Sequence, residues 1–373
     1  MPPSGHGGIS RRRFLAAAGL ATAAGVAGPS WAEIGAPDLI AAAKDASGFR
    51  LLALRRSGDI VFDLPLPGRG HAAAAHPDRA EVVLVSRRPG TFALVLDCGS
   101  GTVVKRLTAP PGRHFYGHGT FSADGALLFT TENAYRTGAG RLGVWDVASD
   151  YGRIGEFGSG GIGPHDALLM PGGKTLAVAN GGIRTHPDSG REKLNLPSMT
   201  PNLAYLRAED GTVLQRVELP GDLRLNSIRH LAVNAGGLVA AALQWQGDPA
   251  DGVPLLAFHR QGEPALRVAE ADPAALAMMR GYAGSVAFDG SGQMAAITSP
   301  RGGRVMAWRA SGGDAKIWSR PDVCGLAPAA DGWIATDGLG GVIGLSRKLR
   351  ASPLARQKVA FDNHLSPITE SGR

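Results

Sequence analysis

The feature that most constrains this chain is a recurring unit: a short strand, a Gly- or Asp-containing turn, and a second apolar strand. It is clearest at Gly117-His118-Gly119-Thr120-Phe121-Ser122-Ala123-Asp124-Gly125, which runs on into Leu127-Leu128-Phe129-Thr130. Altered copies begin at Gly70-His71-Ala72, Pro164-His165-Asp166, Arg229-His230-Leu231, Gly284-Ser285-Val286 and Val323-Cys324-Gly325, with a last one at Asn363-His364-Leu365. With residues 71, 118, 165, 230, 285, 324 and 364 as markers, the steps are 47, 47, 65, 55, 39 and 40 residues. Third and fourth strands follow within a unit, as at 142–146 and 153–157. Four strands per unit at a spacing of roughly 40 to 50 residues is the signature of propeller blades. The sequence therefore predicts an all-β chain, a seven-bladed β-propeller.

The seventh marker leaves room for only one further strand before the chain ends at Arg373. The three strands missing from that blade are expected at the other end, at 39–43, 49–54 and 59–63. A last blade closed by one C-terminal and three N-terminal strands leaves the ring without an unpaired edge. Two stretches interrupt the repeat. The long step from 165 to 230 carries its excess in residues 180–205, polar and rich in turn formers, expected to lie over one mouth of the channel. Asp272-Pro273-Ala274 opens a short capped helix.

Composition agrees: 54 glycines and 25 prolines with 6% aromatics suit many short strands joined by tight turns. Ser10-Arg11-Arg12-Arg13-Phe14-Leu15 matches a twin-arginine export signal, an alanine-rich stretch follows to Ala27, and Ser30-Trp31-Ala32 offers small residues for processing. Residues 1–32 are read as the signal peptide and 33–373 as a single propeller domain, exported folded to the periplasm and monomeric. Without the three arginines of the signal, the formal charge of +7 falls to +4. No basic run interleaved with aromatics points to nucleic acid, and no apolar segment is long enough to span a membrane. An oxidising compartment permits disulfides. Cys98, however, ends a third strand outside the channel, whereas Cys324 is placed facing it, so two free thiols are expected.

In a propeller the first strand of each blade lines the central channel. His71, His118, His165, His230 and His364 occupy one position of that strand in five blades, and they are five of the ten histidines in the chain. Converging imidazoles are a common way to hold iron, copper or zinc. The end of the second strand returns to the same mouth, which adds Arg87, Glu132, Asn180, Gln244, Arg301 and Asp337 as ligand-binding residues. The insertion adds His186, Arg191 and Lys193. The competing reading is structural. Gly117-His118 followed by Trp145-Asp146 resembles the histidine network of WD repeats, although His118 sits several residues too close to its strand. No HExxH, P-loop or GxSxG motif is present.

The twin-arginine segment, Arg69-Gly70-His71, Tyr116-Gly117-His118-Gly119, Gly163-Pro164-His165, residues 180–201 and Asp362-Asn363-His364-Leu365 together resemble one family. It is the bacterial domain-of-unknown-function family 1513, over essentially the whole mature chain. The resemblance implies a seven-bladed fold of the quinoprotein amine dehydrogenase-like, YVTN-like class. It also implies partners among imelysin-type or cytochrome-like periplasmic iron proteins, and it transfers no catalytic residue. The expected function is binding of a transition metal, iron or copper, or of a metal-loaded partner, in metal acquisition. Two alternatives stay open: a metal-dependent hydrolase or lactonase-like enzyme, and a metal-free interaction scaffold.

Overall fold

The computed structural model describes residues 28–88, 90–190 and 192–368; the twin-arginine motif lies outside them. Seven four-stranded antiparallel sheets follow one another around a ring. The first six blades begin with the inner strands Gly70–Ala75, Arg113–Phe121, Pro164–Leu169, Asn226–Val233, Ser285–Phe288 and Val323–Ala329. The seventh joins the C-terminal strand Ala360–Pro367 to the N-terminal strands Leu39–Lys44, Phe49–Leu54 and Ile60–Leu66. Leu39 pairs with Pro367 and Lys44 with Ala360 across that junction, so the ring closes as the repeat predicts.

The second strands are nearly all buried along their length, for example at 82–85 and 176–179. That pattern is what a sheet covered on both faces requires. The apolar core is accordingly radial. One cluster fills each seam between neighbouring blades, from Phe115 and Trp145 against Val83 and Val95 between blades one and two to Leu52 and Leu54 against Ile334 and Val342 between blades six and seven. Stability resides in the seams, which leaves the axis free for polar groups.

The two interruptions behave differently. Pro273–Ala277 is a short helix whose cap, Asp272, accepts from the Ala274 N–H at 3.2 Å. Between the strands Thr175–Asn180 and Asn202–Arg207 the insertion is held by its own bonds. Asn195 accepts from the Arg184 N–H at 2.6 Å and donates to the Gly182 carbonyl at 2.9 Å. Met199 is buried beneath it. Cys98 and Cys324 are both free and buried. Burial pushes each thiol up to about 12, so neither is a reactive thiolate. Among the described residues no helix is long and apolar enough to cross a membrane.

Trp31 is a core residue at 1% exposure, packed in the seam between blades seven and one. Its indole N–H donates to the His76 carbonyl at 2.8 Å, and the Pro29 carbonyl accepts from the Ala80 N–H at 2.7 Å. A chain processed after Ala32 would lack this indole. In a chain that retains Trp31, Trp31→Ala is expected to cost about 3–5 kcal/mol in urea unfolding. The same change is expected to be silent in exported protein processed after Ala32, and a lowered midpoint there would place the start of the working protein upstream of Trp31.

Candidate metal centre

Antiparallel pairing alone would alternate side chains between the two faces of each blade and leave a wide central channel. The inner strands break that rule at the marker position. His71 in blade one and His165 in blade three have no opposite residue, because the register slips between Gly70 and Ala72 and between Pro164 and Asp166. In blade two the slip spans Tyr116, Gly117 and His118, and in blade four it falls at Arg229, just before His230. In blade seven it spans Asp362, Asn363 and His364. A bulge bends its strand and re-aims a side chain, and here five bulges turn five imidazoles to the axis. Gly117 has φ of 109°, a conformation open to glycine, and a Cβ there would collide with the His71 ring.

The result is a knot of rings rather than a wide circle. Ring centroids lie 5.0 Å apart for His71 and His118, 4.7 Å for His118 and His364, and 4.7 Å for His230 and His364. His118 and His230, from blades that are not neighbours, are 5.3 Å apart. Two triads share His118: His71, His118 and His165, and His118, His230 and His364, each with ligand nitrogens within 4.8 Å of one another. Buried nitrogens without a hydrogen-bond partner include both of His71, Nε2 of His118, His165 and His364, and Nδ1 of His230. Orphaned buried acceptors and donors are costly, and they mark places where something else completes the bonding.

Two polar partners, Asp166 behind the shared His118 and Arg229 behind His165, set how these rings present their nitrogens. The Asp166 carboxylate lies 3.2 Å from His118 Nδ1 and accepts from the Ala167 and Leu231 N–H groups at 2.8 and 2.9 Å. Burial alone would raise this carboxyl, but the His118 ring and the Leu231 N–H outweigh it and hold the pKa below its ordinary value. An ionised carboxylate on Nδ1 fixes the proton there and leaves the Nε2 lone pair facing the axis, the arrangement found behind metal-bound histidines. His165 differs. Arg229, which can only donate, points Nη1 at His165 Nδ1 from 3.3 Å, so the neutral ring carries its proton on the axis-facing Nε2. His118, His230 and His364 are therefore the better ligand set.

Burial and the neighbouring rings push His71, His165 and His230 well below the ordinary histidine range and bring His364 down to about 3. Neutral imidazole is the ligand form.

The structure sorts the residues expected around the mouth. Arg87 lies close enough to depress His71, His230 and His364, and Arg301 stacks over Tyr282 at 4.4 Å. Lys193, from the insertion, is lowered by partial burial and then by the nearby charges of Arg229, Arg301 and Arg88. The other residues are not brought to the histidines. Glu132 is fully buried in blade two and takes a two-pronged bond from Arg153, at 2.6 and 2.9 Å. Asn180 bonds Ser159 and Asn202 in the wall of the blade, and Asp337 bonds Arg320 and the turn amides of Leu339 and Gly341. Gln244 donates to the Ala283 carbonyl, and His186 caps a turn beside Tyr135. Arg191 lies outside the described residues. Cys324, expected to face the channel, instead donates its thiol to the Thr336 and Phe361 carbonyls in the seam between blades six and seven. Asp166 and Arg229 are the polar residues the spacing argument undervalued, and both sit beside a marker histidine.

The depressed histidines set the acid stability of the metal-free protein. Unfolded histidine titrates near 6.5, so between that value and about 3 the unfolded chain binds protons that folded His364 refuses. Stability is therefore full above pH ~6.5 and falls as the pH drops, by up to ~1.4 kcal/mol per pH unit for each such histidine. Urea unfolding in a chelator across this range is expected to show that loss, with a shallower slope for His364→Gln. A flat profile would mean the rings are solvated.

The sequence profile of the family described as "Protein of unknown function (DUF1513)" matches residues 64–368. No curated protein matches the chain. Among solved structures, hydrazine synthase from Kuenenia stuttgartiensis is similar with a TM-score of 0.59 at 13% identity, over 83% of this chain and 89% of that one. A functionally unknown protein from Desulfotomaculum acetoxidans DSM 771 is similar with a TM-score of 0.50 at 13% identity, over 77% and 87%. At such identities the likeness concerns the fold alone. With the family profile running from residue 64 to 368, through six whole blades and the C-terminal strand of the seventh, the chain belongs to the DUF1513 family.

Proposed function

We propose that this propeller binds a transition metal on His118, His230 and His364, with Asp166 orienting His118, and that it handles iron or copper in the periplasm after twin-arginine export. The observation that supports this is the set of axis-facing nitrogens without partners, held within 4.8 Å by three different blades. Borderline-soft nitrogen ligands suit iron, copper and zinc, and three protein ligands leave a position open for exchange. Exposed Lys193 and Arg301, close enough to feel each other's charge, suit contact with an acidic surface, as a metal-loaded partner of the imelysin or cytochrome type would offer. The hydrolytic alternative is the weaker one, because Glu132 and Asp337 are engaged in ion pairs in the blade walls.

Elemental analysis of protein purified from the periplasm, followed by titration with Fe2+, Cu2+ and Co2+, tests the reading. Stoichiometric metal is expected in the wild type and loss of it in His118→Ala. Asp166→Asn, which keeps the shape but removes the charge behind His118, is expected to weaken binding by roughly 10- to 100-fold. A wild-type protein that arrives without metal and takes none up would leave the scaffold reading in its place.

A further inference from the structure

Beside the knot lies a cavity of about 540 Å3 whose end wall is His118, His230, His364 and Asp166. The triad favoured for metal is thus the one that this cavity reaches, whereas His71 and His165 do not line it.

The side walls are mainly apolar, with Ala73, Ala75, Leu168, Ala232 and Phe288 among them, and Thr120, Ser122, Ser285 and Ser366 add hydroxyl residues. The rim is set by Pro77, Ala123, Pro328 and Pro367, where the inner strands end, and none of the described residues between 181 and 201 takes part. Among the described residues lining the cavity Asp166 is the only charged one, and its oxygens already bond His118, Ala167 and Leu231. Buried His118 Nε2 and His230 Nδ1 have no partner and belong to residues of the end wall. A volume of this size lies within the roughly 300–1,000 Å3 of small-molecule sites, which pair apolar walls with a few convergent polar groups.

We propose that this cavity seats a small organic molecule with an apolar body and a single anionic oxygen head, which takes the open position of a metal on His118, His230 and His364. The inference rests on the metal reading above. Imidazole ligands bring no negative charge to a divalent ion, and Asp166 behind His118 is the one acid among the described residues lining the cavity. An anionic head supplies the missing charge, and the apolar body gains from leaving water against the alanine-rich walls. Carboxylates and hydroxamates share this chemistry.

The test uses the full exported chain loaded with Co2+, whose visible spectrum reports its ligands. Acetohydroxamate and benzohydroxamate provide the same head without and with an apolar body. Both are expected to shift the spectrum, benzohydroxamate at concentrations at least roughly tenfold lower. Ala75→Phe and Ala232→Phe fill the cavity from opposite walls. Each is expected to keep the Co2+ spectrum and lose the preference for benzohydroxamate. Should either variant fail to fold, the ratio in the wild type still decides. Equal affinities for the two hydroxamates, no spectral response to either, or a filled cavity that still prefers benzohydroxamate would overturn this proposal and leave the metal reading intact. No Co2+ spectrum at all would overturn both.

Discussion

The imidazoles packed ring against ring at the axis coexist because burial disfavours a proton on His71, His165, His230 and His364. Every feature around them serves that condition. Burial removes the water that would stabilise a proton, each ring discourages the next, and Arg87 and Arg229 add positive potential. The carboxylate of Asp166 is the exception that gives the knot a direction. By holding a proton on the far nitrogen of His118, it turns that ring into a donor of electrons toward the axis. The same residue accepts from the Leu231 N–H and so ties blade three to blade four at the level of the rings.

The seams make this arrangement possible. A domain with one central core would have to bury its most polar cluster in the place where its stability is generated. Here the apolar contacts are distributed between neighbouring blades, and the axis carries little of that load. Blade five shows the limit of the pattern. Its inner strand, Ser285–Phe288, pairs regularly and carries Ser285 at the marker, whose hydroxyl accepts from the Leu326 N–H of blade six. Where the bulge is missing, so is the imidazole.

The ring, its closure and the identity of the five histidines were legible because they depend on a repeat, and a repeat survives in spacing alone. The site was less so. Counting along the second strand locates a residue in height, yet cannot say which face it takes. Glu132, Asn180 and Asp337 stand near the correct height and turn into the walls, where Arg153, Ser159 and Arg320 receive them. The bulges were also hidden in the count, since an extra residue in one strand leaves the blade spacing unchanged. Their trace in the sequence is the glycine or proline beside the marker, at Gly70, Gly117, Pro164 and Gly325. Cys324 shows how much such a slip matters: the same kind of bulge that aims histidines inward turns its thiol into the seam.

The last of the five rings reaches the axis on the strand that is made last. His364 belongs to Ala360–Pro367, and its neighbours anchor it from both sides, Asp362 through Arg69 of the approach to blade one and Asn363 through Tyr282. Until that strand slots beside Leu39–Lys44, the axis holds four rings and the cluster lacks a member. The cluster is thus a property of the finished circle and of no smaller piece of it. Of the two triads, that of His118, His230 and His364 is assembled only when the ring closes, so any ion held by those three rings would follow closure.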